Sequence, residues 1–241
     1  MPANNNHVKE LHARGYCVLK SVFTPAAVAS ARHLVLSNLS LFKNTRPTPS
    51  SAHLAGFHRF PALEPLHTLI TGNSLILAMM DAACEGDQVQ TIGLSDITVN
   101  RSQPWHKDLL RGKFKQYLQG VPIYSAAHGL YKALVYLQAG ASLRVMPGSH
   151  LQASSLDSDK DSEPGDDDLV EAVPVEAGDV VIMDIRLNHR GSPEQAFHGD
   201  AVVDNPKILV STVFGACNNP LTHAMEKGNF HRLMDWMARH P

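Results

Sequence analysis

The hexapeptide Gln103-Pro104-Trp105-His106-Lys107-Asp108 sets an imidazole and a carboxylate two residues apart. In extended backbone side chains alternate with a period of two, so His106 and Asp108 would face one way and Lys107 the other. A second imidazole, His189, follows the apolar run Val180-Val181-Ile182-Met183-Asp184-Ile185. Two histidines and one aspartate on one face of an ion, with the remaining positions open, suit Fe(II) that must also bind its reactants. The same donors suit zinc. His106, Asp108 and His189 are therefore the candidate metal-ligating and catalytic residues.

Spacing alone does not carry this. With 14 histidines in 241 residues, a His-x-Asp tripeptide is expected about once by chance. The competing reading of His106 is a surface or hydrogen-bonded histidine. A second copy stands at His198-Gly199-Asp200, in a stretch rich in glycine and aspartate. It would need His223 or His231 as a third ligand, both in a segment that reads as irregular or helical. The first copy is favoured by its setting: a strand-like segment precedes it, and two more follow before His189.

The elements that must position these groups come next. Val89 to Val99 reads as a strand, as do Tyr131 to Leu137 and Leu143 to Met146, the last stopped by Pro147-Gly148. Val170 to Val175 and Val180 to His189 read as two more, joined by the turn Glu176-Ala177-Gly178-Asp179. In the second of these, Val181, Met183, Ile185, Leu187 and His189 share a face, which puts His189 at the end of an inward row. Lys207 to Phe214 is the last clear strand, and Phe230 to Arg239 is expected to be helical. Upstream, a short helix ends at Gly15 before the strand Tyr16 to Leu19. Thr24-Pro25 then caps a helix to about Leu39 that buries Val28, Ala31, Leu34 and Val35. Residues 43–65 carry four prolines and read as a loop over a pocket, and a helix from Ser74 should bury Leu75, Met79 and Ala82. About eight short strands with helices at the front describe a mainly β jelly roll with supporting N-terminal helices, built as one domain over 1–241. It divides into helical support and lid loop (1–88), core (89–215), an acidic mobile insertion (154–168) and a C-terminal tail (216–241).

Composition sets the outer limits. A hydrophobic fraction of 44% and a charged fraction of 18% allow an ordinary globular core. A net charge of −2 argues against a general nucleic-acid or anionic-membrane surface. No apolar run approaches the length of a membrane span, and the N-terminus shows no basic-then-apolar leader. Cys17, Cys84 and Cys217 lack metal-type spacing and read as reduced thiols, hence a cytoplasmic protein. Composition says nothing of oligomeric state.

Four pieces, in order, resemble the phytanoyl-CoA dioxygenase family of Fe(II)/2-oxoglutarate-dependent oxygenases. They are Leu11 to Lys20 leading into Phe23-Thr24-Pro25; Trp105-His106-Lys107-Asp108; Tyr136-Leu137-Gln138 followed by Leu143 to His150; and Gly178-Asp179 to His189-Arg190-Gly191-Ser192-Pro193. The resemblance implies a double-stranded β-helix with iron held by His106, Asp108 and His189. It also implies 2-oxoglutarate as co-substrate, and O2 and a small-molecule substrate as further partners. The reaction implied is oxidation of a substrate C–H, hydroxylation above all, with release of succinate and CO2. The carboxylate at position 108 points away from the halogenating relatives, which carry a small residue there.

One departure stands out. The family places an arginine after the distal histidine to pair with the far carboxylate of 2-oxoglutarate, a task suited to a planar guanidinium. Here the strand begins Pro206-Lys207-Ile208-Leu209-Val210-Ser211. Lys207 with Ser211 is the substitute expected, with Lys132, Arg144, Arg186 and Arg190 as further candidates. Asn188 or Ser192 is expected to orient His189. Trp105 is expected beside the metal or in plain core, and substrate contacts at His53, His58, His67 and between Arg111 and His128. The alternatives are a non-catalytic barrel that binds a metal or ligand, and a cupin-like isomerase or zinc hydrolase.

Overall fold

The computed structural model describes residues 5–45, 47–110, 112–124, 129–153, 163–165, 168–198 and 204–239. Among the described residues, ten strands form two sheets. They are β1 (Tyr16–Leu19), β2 (Lys43–Asn44), β3 (Ala52–Ala55), β4 (Val89–Val99), β5 (Leu130–Tyr136), β6 (Gly140–Val145), β7 (Glu171–Val175), β8 (Val180–Asp184), β9 (His189–Arg190) and β10 (Ile208–Ala216). The larger sheet runs β1-β8-β5-β10-β4-β3-β2 and the smaller β7-β6-β9, with antiparallel pairing throughout.

Period-two alternation divides the larger sheet into two faces. Ala133 and Val135 of β5, and Val180 and Ile182 of β8, belong to an outer core with the helices α1 (Asn5–Arg14), α2 (Pro25–Leu36), α3 (Glu64–Thr71) and α4 (Ser74–Ala83). Leu134, Tyr136, Val181 and Met183, the residues between, meet Leu143, Val145, Val173 and Val175 of the smaller sheet. The double-stranded β-helix expected from the sequence is therefore present, and the candidate ligands lie between its sheets.

The local signals behave as their chemistry dictates. Thr24 Oγ1 accepts from the Ala27 amide at 3.2 Å, and Pro25 opens α2, which ends at Leu36 rather than Leu39. The turn before β8 needs Gly178: its φ is +93°, and a Cβ there would stand 2.3 Å from the Phe23 carbonyl oxygen.

Four expectations are corrected. Residues 43–65 are not an irregular loop: they supply β2 and β3, and β3 pairs with β4. In α4 the buried stripe is Ile76, Met79, Met80 and Ala83, with Leu75 and Ala82 exposed, because an unbroken apolar run does not fix which face turns inward. After the short helix α5 (Gly112–Lys115), the C-terminal helix α6 (Pro220–Arg239) starts ten residues early; Leu221, Ala224 and Met225 are buried against β4 and β10. The segment Val180 to His189 is two strands, not one. Asp184 accepts from its own turn, at the Arg186 backbone N–H (2.9 Å) and at guanidinium Nε (2.9 Å) and Nη2 (2.7 Å). The chain bends there and crosses from the larger sheet to the smaller. Asp184, Arg186 and Asn188 are buried. The acidic stretch 154–168 lies outside the described residues except for 163–165 and 168, as do Gly199 and Asp200 of the second His-x-Asp copy.

Candidate metal centre

The segment leaving β4 returns beside β9, where His106 and His189 form a reciprocal antiparallel pair. The His106 amide donates to the His189 carbonyl at 2.9 Å, and the His189 amide to the His106 carbonyl at 3.0 Å. Directly opposed residues project to the same face, and the imidazole centroids stand 4.2 Å apart. Two residues of ladder thus bring together side chains 83 positions apart in sequence. A 3-10 turn at Asp108–Leu110 follows. It swings the Asp108 carboxylate towards both rings, Oδ1 at 3.2 Å from His106 Nε2 and Oδ2 at 3.9 Å from His189 Nε2. One ligand atom from each residue lies within 4.8 Å of the others.

Each imidazole is oriented by the backbone two residues before it. His106 Nδ1 donates to the Pro104 carbonyl at 2.7 Å, and His189 Nδ1 to the Leu187 carbonyl at 3.0 Å. These bonds fix the Nδ1–H tautomer and leave both Nε2 lone pairs facing inward. Asn188 and Ser192, expected in this role, do not fill it: His189 Nδ1 is held by the Leu187 carbonyl, and Ser192 Oγ accepts from Lys207. Burial, reinforced by His106, pushes His189 down to about 3, so this ring is neutral at neutral pH. Burial alone would raise the pKa of Asp108, but the Lys132 ammonium and the imidazoles outweigh it and hold the carboxyl well below the usual range.

The donor set fits a divalent cation. His106 Nε2 is buried without a hydrogen-bond partner and faces a carboxylate, an arrangement of two acceptors with no proton between them. Two ligand atoms at right angles on one ion, each at about 2.1 Å, lie about 3 Å apart, close to the 3.2 Å between His106 Nε2 and Asp108 Oδ1. A divalent cation would satisfy both acceptors at once.

A narrow cavity of about 30 Å³ runs from this centre between the sheets. His189 and Lys132 line one end, Leu134, Tyr136, Leu143, Thr98 and Leu209 its walls, and Lys207 and Arg101 the far end. The Lys207 ammonium donates to Ser192 Oγ at 2.8 Å and to Ser142 Oγ, and burial pushes it down to about 8. Ser211 is not its partner: four residues of strand span about 13 Å, and Ser211 Oγ lies 3.4 Å from the Asp96 carbonyl instead. Lys132, which also lines the cavity, has its Nζ 2.9 Å from Asp108 Oδ2. Of the other candidates, Arg186 is tied to Asp184, Arg190 lies over Trp105 with its Cζ 5.6 Å from the ring centroid, and Arg144 of β6 is paired opposite Arg190 of β9. None of these three lines the cavity. Trp105 is core, packed with Met146.

Sequence reasoning missed Arg101, Thr98 and Tyr136. Tyr136 was open to discovery, since it shares the inward parity of Lys132 and Leu134. Arg101 gave no signal, because it lies beyond the end of β4 where periodicity stops. His53 sits 3.5 Å from Asp96, which Arg232 of α6 also grips, while His58 and His67 stack with centroids 5.2 Å apart. Of the stretch Arg111 to His128, Arg111 and residues 125–128 lie outside the described residues.

Several solved structures share this architecture. The non-heme alpha ketoglutarate dependent carbocyclase SnoK from nogalamycin biosynthesis is 18% identical, with 90% of this chain and 85% of that one covered and a TM-score of 0.66. EvdO2 from Micromonospora carbonacea var. aurantiaca, complexed with 2-oxoglutarate, is 15% identical over 90% and 92%, with a TM-score of 0.60. HygX from Streptomyces hygroscopicus, with nickel and 2-oxoglutarate bound, is 14% identical over 90% and 89%, with a TM-score of 0.64. These likenesses establish the fold. No curated protein matches the sequence. The family model for phytanoyl-CoA dioxygenase (PhyH) matches residues 76–196, half of the chain and the half that carries His106, Asp108 and His189. The chain belongs to the phytanoyl-CoA dioxygenase family.

Proposed function

We propose that this protein is an Fe(II)- and 2-oxoglutarate-dependent oxygenase that oxidises a C–H bond of a small or medium-sized metabolite, by hydroxylation, with release of succinate and CO2. The observation that carries this reading is the convergence of two tautomer-fixed imidazoles and one carboxylate at one end of a cavity whose far end holds a buried ammonium. Family membership and the 2-oxoglutarate bound in structures of the same fold support the co-substrate.

Iron held by His106, Asp108 and His189 supplies oxygen activation coupled to oxidative decarboxylation of the 2-oxo acid. The chain's own residues do the rest. The Pro104 and Leu187 carbonyls keep the imidazole lone pairs aimed at one point. Lys207, with the Ser142 and Ser192 hydroxyls beside it, receives the distal carboxylate of 2-oxoglutarate as a charged donor. Leu134, Leu143 and Leu209 wall the path between the two ends and keep bulk water from it. Such a site positions its reactants and excludes competing reactions while the cofactor carries the hard chemistry. Structures of this fold include a carbocyclase and an epimerase, so the fate of the oxidised carbon is set by the substrate pocket rather than by the barrel.

The test is reconstitution with Fe(II), 2-oxoglutarate and O2, following succinate. Succinate formation that disappears in Asp108→Ala, with folding retained, supports the reading. Tight 2-oxoglutarate binding without turnover would mark a binding module instead, and turnover with zinc in the absence of O2 a hydrolase.

A further inference from the structure

The two histidines of the centre are steadied by backbone carbonyls, which no substitution removes. Asp108 is different, because a side chain on another strand holds it. Lys132 is the third residue of β5, on the inward face, directly opposite Val213 of β10 and Met183 of β8, both fully buried and apolar. From this apolar floor its Nζ reaches Asp108 Oδ2 at 2.9 Å, with both side chains about 15% exposed. Asp108 Oδ1 is left 3.2 Å from His106 Nε2.

We infer that Lys132 is a positioning residue for the metal ligand Asp108: it holds Oδ2 so that the carboxylate meets the ion through Oδ1 alone. The inference rests on the iron-site reading above. Its chemistry is simple. A carboxylate free to turn can bind an ion through both oxygens, and the second bond would fill one of the three positions left open by two histidines and an aspartate. An ammonium on Oδ2 makes a charge-assisted hydrogen bond that competes with that second contact. It also fixes the plane of the carboxylate before the ion arrives, as groups behind a metal ligand do elsewhere. Lys132 thus supports the ligand Asp108 rather than the distal acid of 2-oxoglutarate, which Lys207 serves from the far end of the cavity.

The test compares Lys132→Met and Lys132→Arg with the unaltered protein. Methionine suits the apolar floor, and arginine keeps the charge. Co(II) binding is read by titration of its visible absorption, and the KM for 2-oxoglutarate by uncoupled succinate formation at saturating Fe(II). The Met variant should bind Co(II) about 10–100-fold more weakly, the range seen when a metal ligand loses its supporting partner. Its KM for 2-oxoglutarate should stay put, its Co(II) spectrum should shift with the changed carboxylate mode, and the Arg variant should recover most of the affinity. Unchanged Co(II) affinity and spectrum in the Met variant, with or without a raised KM, would overturn the inference while leaving the iron site standing; a raised KM alone would make Lys132 a co-substrate clamp. If the unaltered protein takes up no Co(II), the iron site falls and the role of Lys132 with it.

Discussion

A lysine that must meet a carboxylate works only while it keeps its third proton. Burial lowers Lys207 to about 8, so its ammonium is intact at neutral pH and is lost as the pH rises through that value. The KM for 2-oxoglutarate should therefore be flat below pH 8 and climb above it, by up to about tenfold per pH unit. Lys207→Arg should remove the climb, because a guanidinium stays charged throughout. A KM that does not change across this range would show that Lys207 does not receive the acid. The inward aim of Lys207 was legible from its two-residue offset from Leu209. Its partners were not, since Ser142 and Ser192 come from separate segments of chain. The same holds for Lys132: it was named as a candidate for the acid, but only the turn at Asp108–Leu110 decided what it meets.

At the scale of elements, the decisive feature is the crossover between β8 and β9. Asp184 and Arg186 form a buried pair at 2.7 Å inside one turn, and the guanidinium also reaches the Ile123 carbonyl at 3.1 Å. Removing one member leaves the other charge buried alone, which typically costs about 3–5 kcal/mol. Arg186→Met should lower unfolding stability by about that amount in denaturant titration and should also weaken Co(II) binding, because the turn delivers His189 to its ladder position. A variant as stable as the unaltered protein would mean that the pair does not build the crossover. Hydrophobic alternation could not reveal this bend. Val181, Met183 and Leu187 do share the inner core, and an inward row reads the same whether the strand runs straight or breaks. The proline-rich stretch misled for the opposite reason. Its turn residues are real, but β3 is held by a neighbouring strand and by Ser51 Oγ, 2.6 Å from the Asn100 carbonyl.

Across the whole molecule the two cores have separate tasks. The helix-backed outer core stiffens the larger sheet, and the inner one holds the smaller sheet at the distance that lets the centre form. One end of the barrel is closed where Leu109, Phe114, Leu118 and Val121 meet α6 and the inner ends of β4 and β10. On the other side a polar cleft lined by Arg101, Ser102, Gln103 and Ser192 shares Arg101 and Gln103 with the inner cavity. The fold class was legible because strand-forming runs and turns recur along the chain; the closed end was not, since α6 becomes a wall only once the barrel exists to receive it. Whether three side chains hold one ion is tested directly by crystals grown with Fe(II) under anaerobic conditions, through anomalous diffraction at the iron edge. One strong peak is expected about 2.0–2.2 Å from His106 Nε2, His189 Nε2 and one Asp108 oxygen. Iron bound elsewhere, or the three side chains turned apart with no peak between them, would contradict a metal centre at these residues.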